Sequence, residues 1–423
     1  MTEEQMLKHL LNRVRHELQM VKQQLSDEQL RDRIEAVVAQ YSREAYLTPT
    51  QMQSYAQQIY ENYRGLDILQ PLMEDDSITE IMINHYDEIF IERDGHVHPY
   101  EHRFESPEKL VQFVHKMVKQ IYPDLNEAPP IVDIRLENGS HVNIVMPPVA
   151  LNGPTMTIRK VTHQPVILEM LVEKGTLTSE AAHMLKILVQ SKYNIFICGG
   201  TRSGKTTLLN ALANCIPNDE RIITIEDVAE LQIGHISNLV QMEAWQMDSK
   251  GKKRDSIREL IHRSLRMRPN RIVVGDIRGA EAAELLQAMN VGFDGSLSTG
   301  NATSSEDMLS RLESMVLSGT YLPVEVVRKQ ISSAIDIIIH LTQHQDARRI
   351  MEISEVLGVR NGQIQLNPLY QWVEQETGNA PADGILQRTT EPFVHTAKLC
   401  LAGYREEELE SEFQHTAPAR YEM

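Results

Sequence analysis

A glycine-rich turn between an apolar strand and an apolar helix constrains this chain more than any other stretch. Residues 193–198 have the pattern of a buried strand, and an apolar helical pattern begins near Gly204. Residues 199–206 read Gly-Gly-Thr-Arg-Ser-Gly-Lys-Thr and match the phosphate-binding P-loop (Walker A) pattern at every fixed position. The pattern requires a strand before it and a helix after it, and both are here. We therefore expect a bound nucleoside triphosphate rather than a purely structural glycine turn.

Each position of this turn has a physical task in holding phosphate. Glycines let the backbone curl so that N–H groups point at phosphate oxygens, and the following helix directs its positive dipole end at the same anion. Lys205 can reach the β- and γ-phosphates, and the Thr206 hydroxyl can ligate Mg²⁺. ATP and Mg²⁺ are the predicted cofactors, since no Asn/Thr-Lys-x-Asp segment that would read guanine is present. The residues predicted to bind nucleotide here are Gly199, Gly200, Thr201, Arg202, Ser203, Gly204, Lys205, Thr206 and Thr207.

Composition excludes several other classes of protein. The 423 residues contain no apolar run of about 18 residues, as a membrane-spanning helix would need, and no signal-peptide core, so we expect a cytoplasmic protein. The three cysteines lie far apart without CxxC spacing, which excludes a four-cysteine zinc site. A net charge of −17 argues against a general nucleic-acid surface, so no direct nucleic-acid partner is expected.

The N-terminal part, residues 1–65, is predicted to be helical. Residues 1–64 contain no glycine and one proline, and the apolar residues from Leu7 to Leu25 alternate spacings of four and three. We expect a helical hairpin, followed by a helix that begins at Thr48-Pro49. These helices either pack on one another or form a docking arm for another protein, and the sequence leaves both alternatives open.

Two α/β domains and a tail are predicted to follow. Residues 66–160 alternate strand patterns, such as 88–93 and 155–159, with a helix that opens at Ser106. In residues 161–370, the P-loop strand is followed by apolar strands at 221–226, 271–275, 295–299 and 335–341. Strands that alternate with helices predict a mainly parallel, covered sheet. Residues 371–423 are predicted to be a polar, acidic C-terminal tail, with an acidic run at 406–412.

Acidic residues end two of the strands that follow the P-loop. Glu226 and Asp227 close the strand at 221–226, and Asp276 follows the strand at 271–275. Ligands of a P-loop sheet lie at the carboxyl ends of its strands, so these acids are expected to face the Mg²⁺–phosphate site. One carboxylate would hold Mg²⁺ and another would orient or deprotonate the attacking water, although acids at strand ends are also common helix caps. We predict a role in metal binding and catalysis for Glu226 and Asp276.

At these residues the chain resembles the type II/IV secretion ATPases, and within them the CpaF family that powers Tad (Flp) pilus assembly. The resemblance covers roughly residues 70–370 as an ordered series of motifs, which is far more specific than a P-loop alone. The matching segments are residues 75–84, 132–135, 157–159, 199–207, 224–231, 266–271, 275–279, 286–290 and 310–315.

The resemblance implies a PAS-like N-terminal domain, a RecA-like ATPase domain and a homo-oligomer, a hexameric ring with nucleotide between the two domains. It also implies that Glu226 is the catalytic glutamate and that Arg135 and Arg159 reach the nucleotide from the N-terminal domain, where a guanidinium can stabilise the transferring phosphoryl group. The implied partners are inner-membrane platform proteins of a pilus or secretion system, which would hold the ring at the membrane. The arginines between Arg254 and Arg271 are expected to line the ring interface or the site, unless they form a solvated helix face.

Two departures from the family pattern fall on the nucleotide-facing rim. The family has glutamate where this chain has Asp276, and histidine where it has Asn301. We expect Asn301 to lie on a loop after the strand 296–299, near the γ-phosphate, where it can donate a hydrogen bond but cannot carry a positive charge. These replacements bear on turnover rather than on binding.

Three functions remain open at this point. The first is a motor in which ATP hydrolysis moves the two domains against each other and the ring acts on a membrane platform. The second is a ring scaffold that binds ATP, turns it over slowly and uses nucleotide as an assembly switch. The third is an ATPase of a conjugation or effector type IV secretion system.

Overall fold

In the computed structural model, the chain divides into two units, Met1–Thr162 and His163–Met423. The structure describes residues 27–45, 47–63, 67–93, 95–121, 130–136, 138–161, 166–244, 256–344, 347–374 and 384–405, together with residues 6, 7, 9–11, 13, 14, 17 and 413. The α/β fold class predicted from the sequence is confirmed, with helices at the N-terminal end and a sheet in each unit.

The N-terminal helices of the first unit share a small core of their own. Helix α1 spans Asp27–Ala45 and α2 spans Pro49–Tyr63, while described residues between 6 and 17 are also helical. Thr48 caps α2 as predicted, because its hydroxyl accepts from the Gln51 N–H while the Gln51 side chain accepts from the Thr48 N–H. The buried residues of this core are Leu10, Val14, Leu30, Ile34, Val38, Tyr41, Tyr55 and Ile59. The helices therefore pack on one another, and the later part of the predicted heptad, residues 18–25, lies outside the described residues.

The rest of the first unit is an antiparallel sheet with one covered face. Its six strands are β1 (Ile78–His85), β2 (Glu88–Arg93), β3 (His96–Pro99), β4 (Ile131–Arg135), β5 (His141–Val145) and β6 (Thr155–Arg159), in the order β3-β2-β1-β6-β5-β4. The helices are α3 (Gln70–Glu74) and α4 (Pro107–Ile121). Apolar residues that alternate along the strands, among them Ile81 and Ile144, pack in the core with Val114 of α4.

The second unit is built on a nine-stranded sheet covered on both faces. Its strands are β7 (Ile195–Gly199), β8 (Ile222–Glu226), β9 (Leu239–Glu243), β10 (Arg271–Ile277), β11 (Leu297–Asn301), β12 (Ile337–His344), β13 (Ala347–Arg360), β14 (Gln363–Glu374) and β15 (Gly384–Arg388). The helices are α5 (Leu168–Glu173), α6 (Ser179–Gln190), α7 (Lys205–Ala213), α8 (Ile257–Ser264), α9 (Ala282–Asn290), α10 (Ser305–Gly319), α11 (Val324–Ala334) and α12 (Ala397–Leu401).

The P-loop strand lies in the middle of this sheet, whose order is β15-β14-β13-β12-β7-β11-β10-β8-β9. The six strands from β12 to β9 are parallel, as predicted, and β13, β14 and β15 add an antiparallel extension. Along β7, Ile195 and Ile197 pack into one core with α5, α6 and α7, whereas Phe196 and Cys198 pack into the opposite core with helices α8 to α11. Burial on both faces explains why the strand is apolar throughout.

The C-terminal segment departs from its prediction. Residues 384–405 were expected in a polar tail, but they form β15 and α12, and Phe393 and Leu399 are buried in the core of the second unit. Glu355 of β13 holds this segment, because its fully buried carboxylate accepts hydrogen bonds from the backbone N–H groups of Val394 and His395. The acidic run at 406–412 lies outside the described residues.

Among the described residues, no helix combines the length and the apolar character that crossing a membrane requires.

Candidate functional site

Two glycines fix the shape of the P-loop at the carboxyl end of β7. A side chain on Gly199 would collide with the carbonyl oxygen of Leu341 in β12 and come within 2.6 Å of Ser203 Oγ. Gly204, which precedes α7, has a φ of +98°, a conformation that side chains rarely adopt. Glycine is required at both positions, and the loop ends where the N–H groups of α7 begin.

Lys205 is the first residue of α7, and its side chain is held inside the loop. Its Nζ donates to the Gly200 carbonyl over 2.7 Å and to Oδ1 of Asn301 over 2.9 Å, and the residue is only 8% exposed. Burial lowers the pKa of Lys205, while the carboxylate of Asp276 acts in the opposite direction. Lys205 is thus a preoriented cation at the N-terminus of a helix.

Asn301 connects Lys205 to Asp276. Its Nδ2 donates to Oδ2 of Asp276 over 2.9 Å, so one amide accepts from the cation and donates to the acid. The register explains this contact, because Asn301 pairs with Gly199 on one side and its strand β11 pairs with β10 on the other. The prediction that Asn301 lies on a loop is wrong, since it is the last residue of β11.

Asp276 lies within β10 rather than after it. The pairing of β10 with β11 shifts register between Val274 and Asp276. Oδ2 of Asp276 also accepts from Nε of Arg278 over 2.9 Å. Its other oxygen, Oδ1, is buried and has no hydrogen-bond partner among the described residues. A carboxylate oxygen without a donor, together with the Thr206 hydroxyl at the start of α7, fits the all-oxygen ligand preference of Mg²⁺.

Glu226 ends β8, next to the strand that carries Asp276. Its Oε1 accepts from the backbone N–H groups of Glu230 and Leu231 over 3.0 and 3.1 Å, so the carboxylate also anchors the loop that follows it. The residue is 3% exposed, and this burial raises its pKa to about 7, partly offset by the two backbone hydrogen bonds. Asp227 lies 3.9 Å from the guanidinium of Arg278 at the exposed rim.

Arg135 and Arg159 lie in the first unit, on the exposed side of its sheet. His141 pairs with Arg135 on β4 and with Arg159 on β6, so the three residues form a row across neighbouring strands. The two arginines therefore lie one strand apart from His141 on either side, on the face opposite the apolar core.

The arginines between Arg254 and Arg271, in and around α8, do not form one continuous surface. Arg271 is fully buried; its Nε and Nη2 bind both oxygens of Glu220 over 2.8 and 2.7 Å, and its Nη1 donates to the Val189 carbonyl over 2.5 Å. The prediction that Arg271 lines the site or an interface is therefore wrong, because its guanidinium is enclosed. Arg258 pairs with Glu284 at the surface, and Arg254 lies outside the described residues.

Sequence reasoning missed the contribution of Arg278. It belongs to the matching segment 275–279, where no pattern of its own marks it, but it is the cation that pairs with Asp276. The pKa of its guanidinium is raised by the hydrogen bond to Asp276. The available signal was an arginine two residues after an acid at the end of a strand, because Arg278 directly follows β10.

Comparisons with known proteins show to which family the chain belongs. Residues 62–377 match the family described as type II/IV secretion system protein. A predicted conjugal transfer protein of Mycobacterium tuberculosis (strain H37Rv) is 30% identical over 307 residues, which are 71% of this chain and 87% of that protein. The type IV secretion system protein VirB11 of Brucella suis is 31% identical over 304 residues, with 65% of this chain and 84% of that protein covered.

One solved structure among those similar to the chain is the VirB11 ATPase of the Brucella suis type IV secretion system in complex with sulphate. It is 29% identical, covers 69% of this chain and 93% of that one, and gives a TM-score of 0.37. The family match alone spans about three quarters of the chain, from before β1 to just past β14. The chain belongs to the type II/IV secretion system protein family.

Proposed function

We propose that this protein hydrolyses ATP as the subunit of a hexameric motor that powers pilus assembly of the Tad/Flp type, or a related type II/IV secretion process, at the cytoplasmic face of the membrane. The observation that carries the proposal is the polar chain from Lys205 through Asn301 to Asp276, at the mouth of a P-loop in a member of this family. Inner-membrane platform proteins are the proposed partners.

Phosphate binding is assigned to the P-loop and α7. Backbone N–H groups of residues 200–207 and the helix dipole hold the β- and γ-phosphates, and Lys205 supplies a buried positive charge at the same place. Thr206 and Asp276 would hold Mg²⁺, which when bound neutralises charge on the phosphate oxygens. Asp276 Oδ1 supports this assignment, since it is a buried carboxylate oxygen with no hydrogen-bond partner among the described residues.

Water activation is assigned to Glu226. The two backbone N–H groups that bind its Oε1 fix the carboxylate in one orientation. With a pKa near 7, the side chain is basic enough to take a proton from water and is ionised in a large fraction of molecules at neutral pH. Burial therefore tunes this carboxylate toward the role of general base, with an additional part in the metal site.

Arg135 and Arg159 are proposed to act on the phosphoryl group from the first unit. Each pairs with His141 of β5, so both guanidinium groups belong to one face of the same sheet. A guanidinium that stabilises the transition state from a separate unit makes hydrolysis depend on the relative position of the two units. Such dependence is what a motor requires.

Two alternatives have specific support. A ring scaffold that switches slowly with nucleotide is favoured by Asn301, because the amide ties Lys205 and Asp276 together where the family has a histidine. A conjugation or effector type IV secretion ATPase is favoured by relatives that carry those names.

Steady-state phosphate release by the purified full-length protein, with sizing in the presence and absence of ATP and Mg²⁺, separates these functions. A motor is expected to turn over ATP, to assemble as a hexamer, and to show specific activity that rises with protein concentration. Assembly with ATP but without turnover would favour the scaffold. Neither assembly nor turnover would contradict the proposal.

A further inference from the structure

The β12–β13 hairpin stands beside the P-loop. Strand β12 pairs with β7 up to Leu341, which is opposite Gly199, the residue at which β7 ends and the P-loop begins. Residues Thr342–His344 continue β12 past that point and pair with Ala347–Arg349 of β13. The end of this hairpin therefore lies at the carboxyl edge of the sheet, next to the phosphate-binding turn.

Both structural glycines of the P-loop contact this hairpin. The backbone of Leu341 closes over Gly199, and the side chain of Arg348 covers Gly204. A methyl group added to Gly204 would come within 3.0 Å of Cδ of Arg348 and within 3.8 Å of its Cβ and Cγ. The aliphatic part of Arg348 thus lies against the residue that opens α7, and its guanidinium begins one bond beyond Cδ.

The next residue along the strand, Arg349, shows what a structural arginine does here. Its Nη1 donates to the carbonyls of Lys174 and Gly175, and its guanidinium lies 5.6 Å from the centre of the Trp372 ring. Strand alternation places Arg348 on the other face, where it is exposed. In the part of the chain that the structure describes, Arg348 takes part in no hydrogen bond or ion pair.

The positive charge of Arg348 lies near other positive charge. The N-terminus of α7 carries a partial positive charge, and Lys205 adds a full one, so a further cation there is repelled unless an anion lies between them. A polyphosphate supplies that anion, and a guanidinium can bind two of its oxygens at once.

We propose that Arg348 is a binding residue for the diphosphate part of the nucleotide, contributed by the β12–β13 hairpin of the same unit that carries the P-loop. The inference rests on the proposed function, in that ATP occupies the P-loop. It adds a cation on the side of β7 away from Asp276 and Arg278, since β12 and β11 flank β7 on opposite sides.

The test compares dissociation constants for ADP and for pyrophosphate, each with Mg²⁺, in the full-length wild type and in Arg348→Met, which keeps the aliphatic contact with Gly204. Loss of a charge-assisted bond should weaken both ligands about tenfold. The value of kcat at saturating ATP should remain within about threefold of wild type, because the contact is made in the ground state as well as the transition state. Arg348→Lys should recover part of the affinity.

Arg349→Gln is the matched control, and it should lower thermal stability without changing either dissociation constant. Unchanged affinity of Arg348→Met for both ligands would overturn the inference. Weaker ADP binding with unchanged pyrophosphate binding would overturn it as well, since the contact would then be with the base or ribose.

Lys205→Ala in the same titration keeps the two proposals apart. If the wild type binds ADP and Lys205→Ala does not, the nucleotide site stands whatever Arg348→Met does. If the wild type binds neither ligand, the proposed function itself fails.

Discussion

Lys205 donates a hydrogen bond to Oδ1 of Asn301 over 2.9 Å, and the same amide donates through Nδ2 to Asp276. An amide has an acceptor at one end and donors at the other, so it can join a cation to a carboxylate. A histidine can do this only while neutral, because a protonated imidazole has no acceptor left. With Asn301 in place of the histidine that the sequence resemblance implies here, the bridge is independent of pH over the range in which imidazole titrates.

Asn301→His should retain turnover at high pH and lose it at low pH. The neutral ring can take the place of the amide, whereas its protonated form cannot accept from Lys205 and puts a second positive charge beside it. The kcat ratio of variant to wild type should fall several-fold as the pH drops below about 6.5, the ordinary pKa of histidine.

The control for Asn301→His is Asn218→His, which places an imidazole at an exposed position after α7. Its kcat ratio to wild type should stay flat across the same pH series. A ratio for Asn301→His that rises toward low pH would show that the side chain at 301 contacts phosphate rather than Lys205.

Glu226→Gln should bind ATP and turn it over roughly 10²-fold or more slowly, because the amide cannot accept a proton. Gln keeps an oxygen for the N–H groups of Glu230 and Leu231, so the local structure should survive. The raised pKa of Glu226 sets the direction in which activity changes with pH. The wild-type side chain is protonated below about pH 7, so activity should be lost as the pH falls through that value.

The measurement for Glu226 is kcat as a function of pH for both proteins. The wild-type profile should show an ionisation near 7, and the residual activity of Glu226→Gln should not. Failure of ATP to bind, with a normal rate for each bound site, would instead make Glu226 a metal or structural residue.

Arg271→Met should destabilise the second unit by about 3–5 kcal/mol, since it leaves the carboxylate of Glu220 without its main partner in a buried place. Arg258→Gln, which breaks the exposed pair with Glu284, should cost less than about 1 kcal/mol. Chemical denaturation compares the two variants. Similar losses for both would contradict the structural role of Arg271, and the double variant Glu220→Gln with Arg271→Met should recover part of the stability.

Glu355→Gln should loosen the C-terminal segment. Its two carboxylate oxygens accept from the backbone of Val394 and His395 and from the Asn367 side chain, and an amide nitrogen cannot accept at one of these positions. An unsatisfied buried donor costs about 1–3 kcal/mol, so limited proteolysis should cut residues 384–405 faster. Glu352→Gln, a partly exposed change on the same strand, is the control and should leave the cleavage rate unchanged.

Local patterns predicted the parts of the fold that depend on neighbours in sequence. Apolar strands between helices gave the parallel half of the large sheet, and the glycines of the P-loop marked its turn. The β13–β14 hairpin was missed, although Asn361-Gly362 at its turn is a strong hairpin signal and both residues have positive φ. Strands with many polar residues at the edge of a sheet give a weak hydrophobic pattern.

Contacts between distant segments could not be predicted from the sequence. The bridge at Asn301 depends on the register of β7, β11 and β10, which the chain sets through the whole sheet. Arg271 looked like one of several surface arginines because its partner, Glu220, is 51 residues away. The buried carboxylate of Glu355 likewise binds a segment about 40 residues further on, so a polar stretch was interpreted as a tail.

Phosphate release and ATP binding by Lys205→Ala, beside wild type and Lys186→Ala, test the proposed ATPase site most directly. Lys205 supplies the buried charge at the P-loop, whereas Lys186 is an exposed lysine on α6 in the same unit. Wild type and Lys186→Ala should release phosphate at the same rate, and Lys205→Ala should bind ATP weakly and release none above the uncatalysed rate. Phosphate release by Lys205→Ala at the wild-type rate would contradict the assignment of this site as an ATPase.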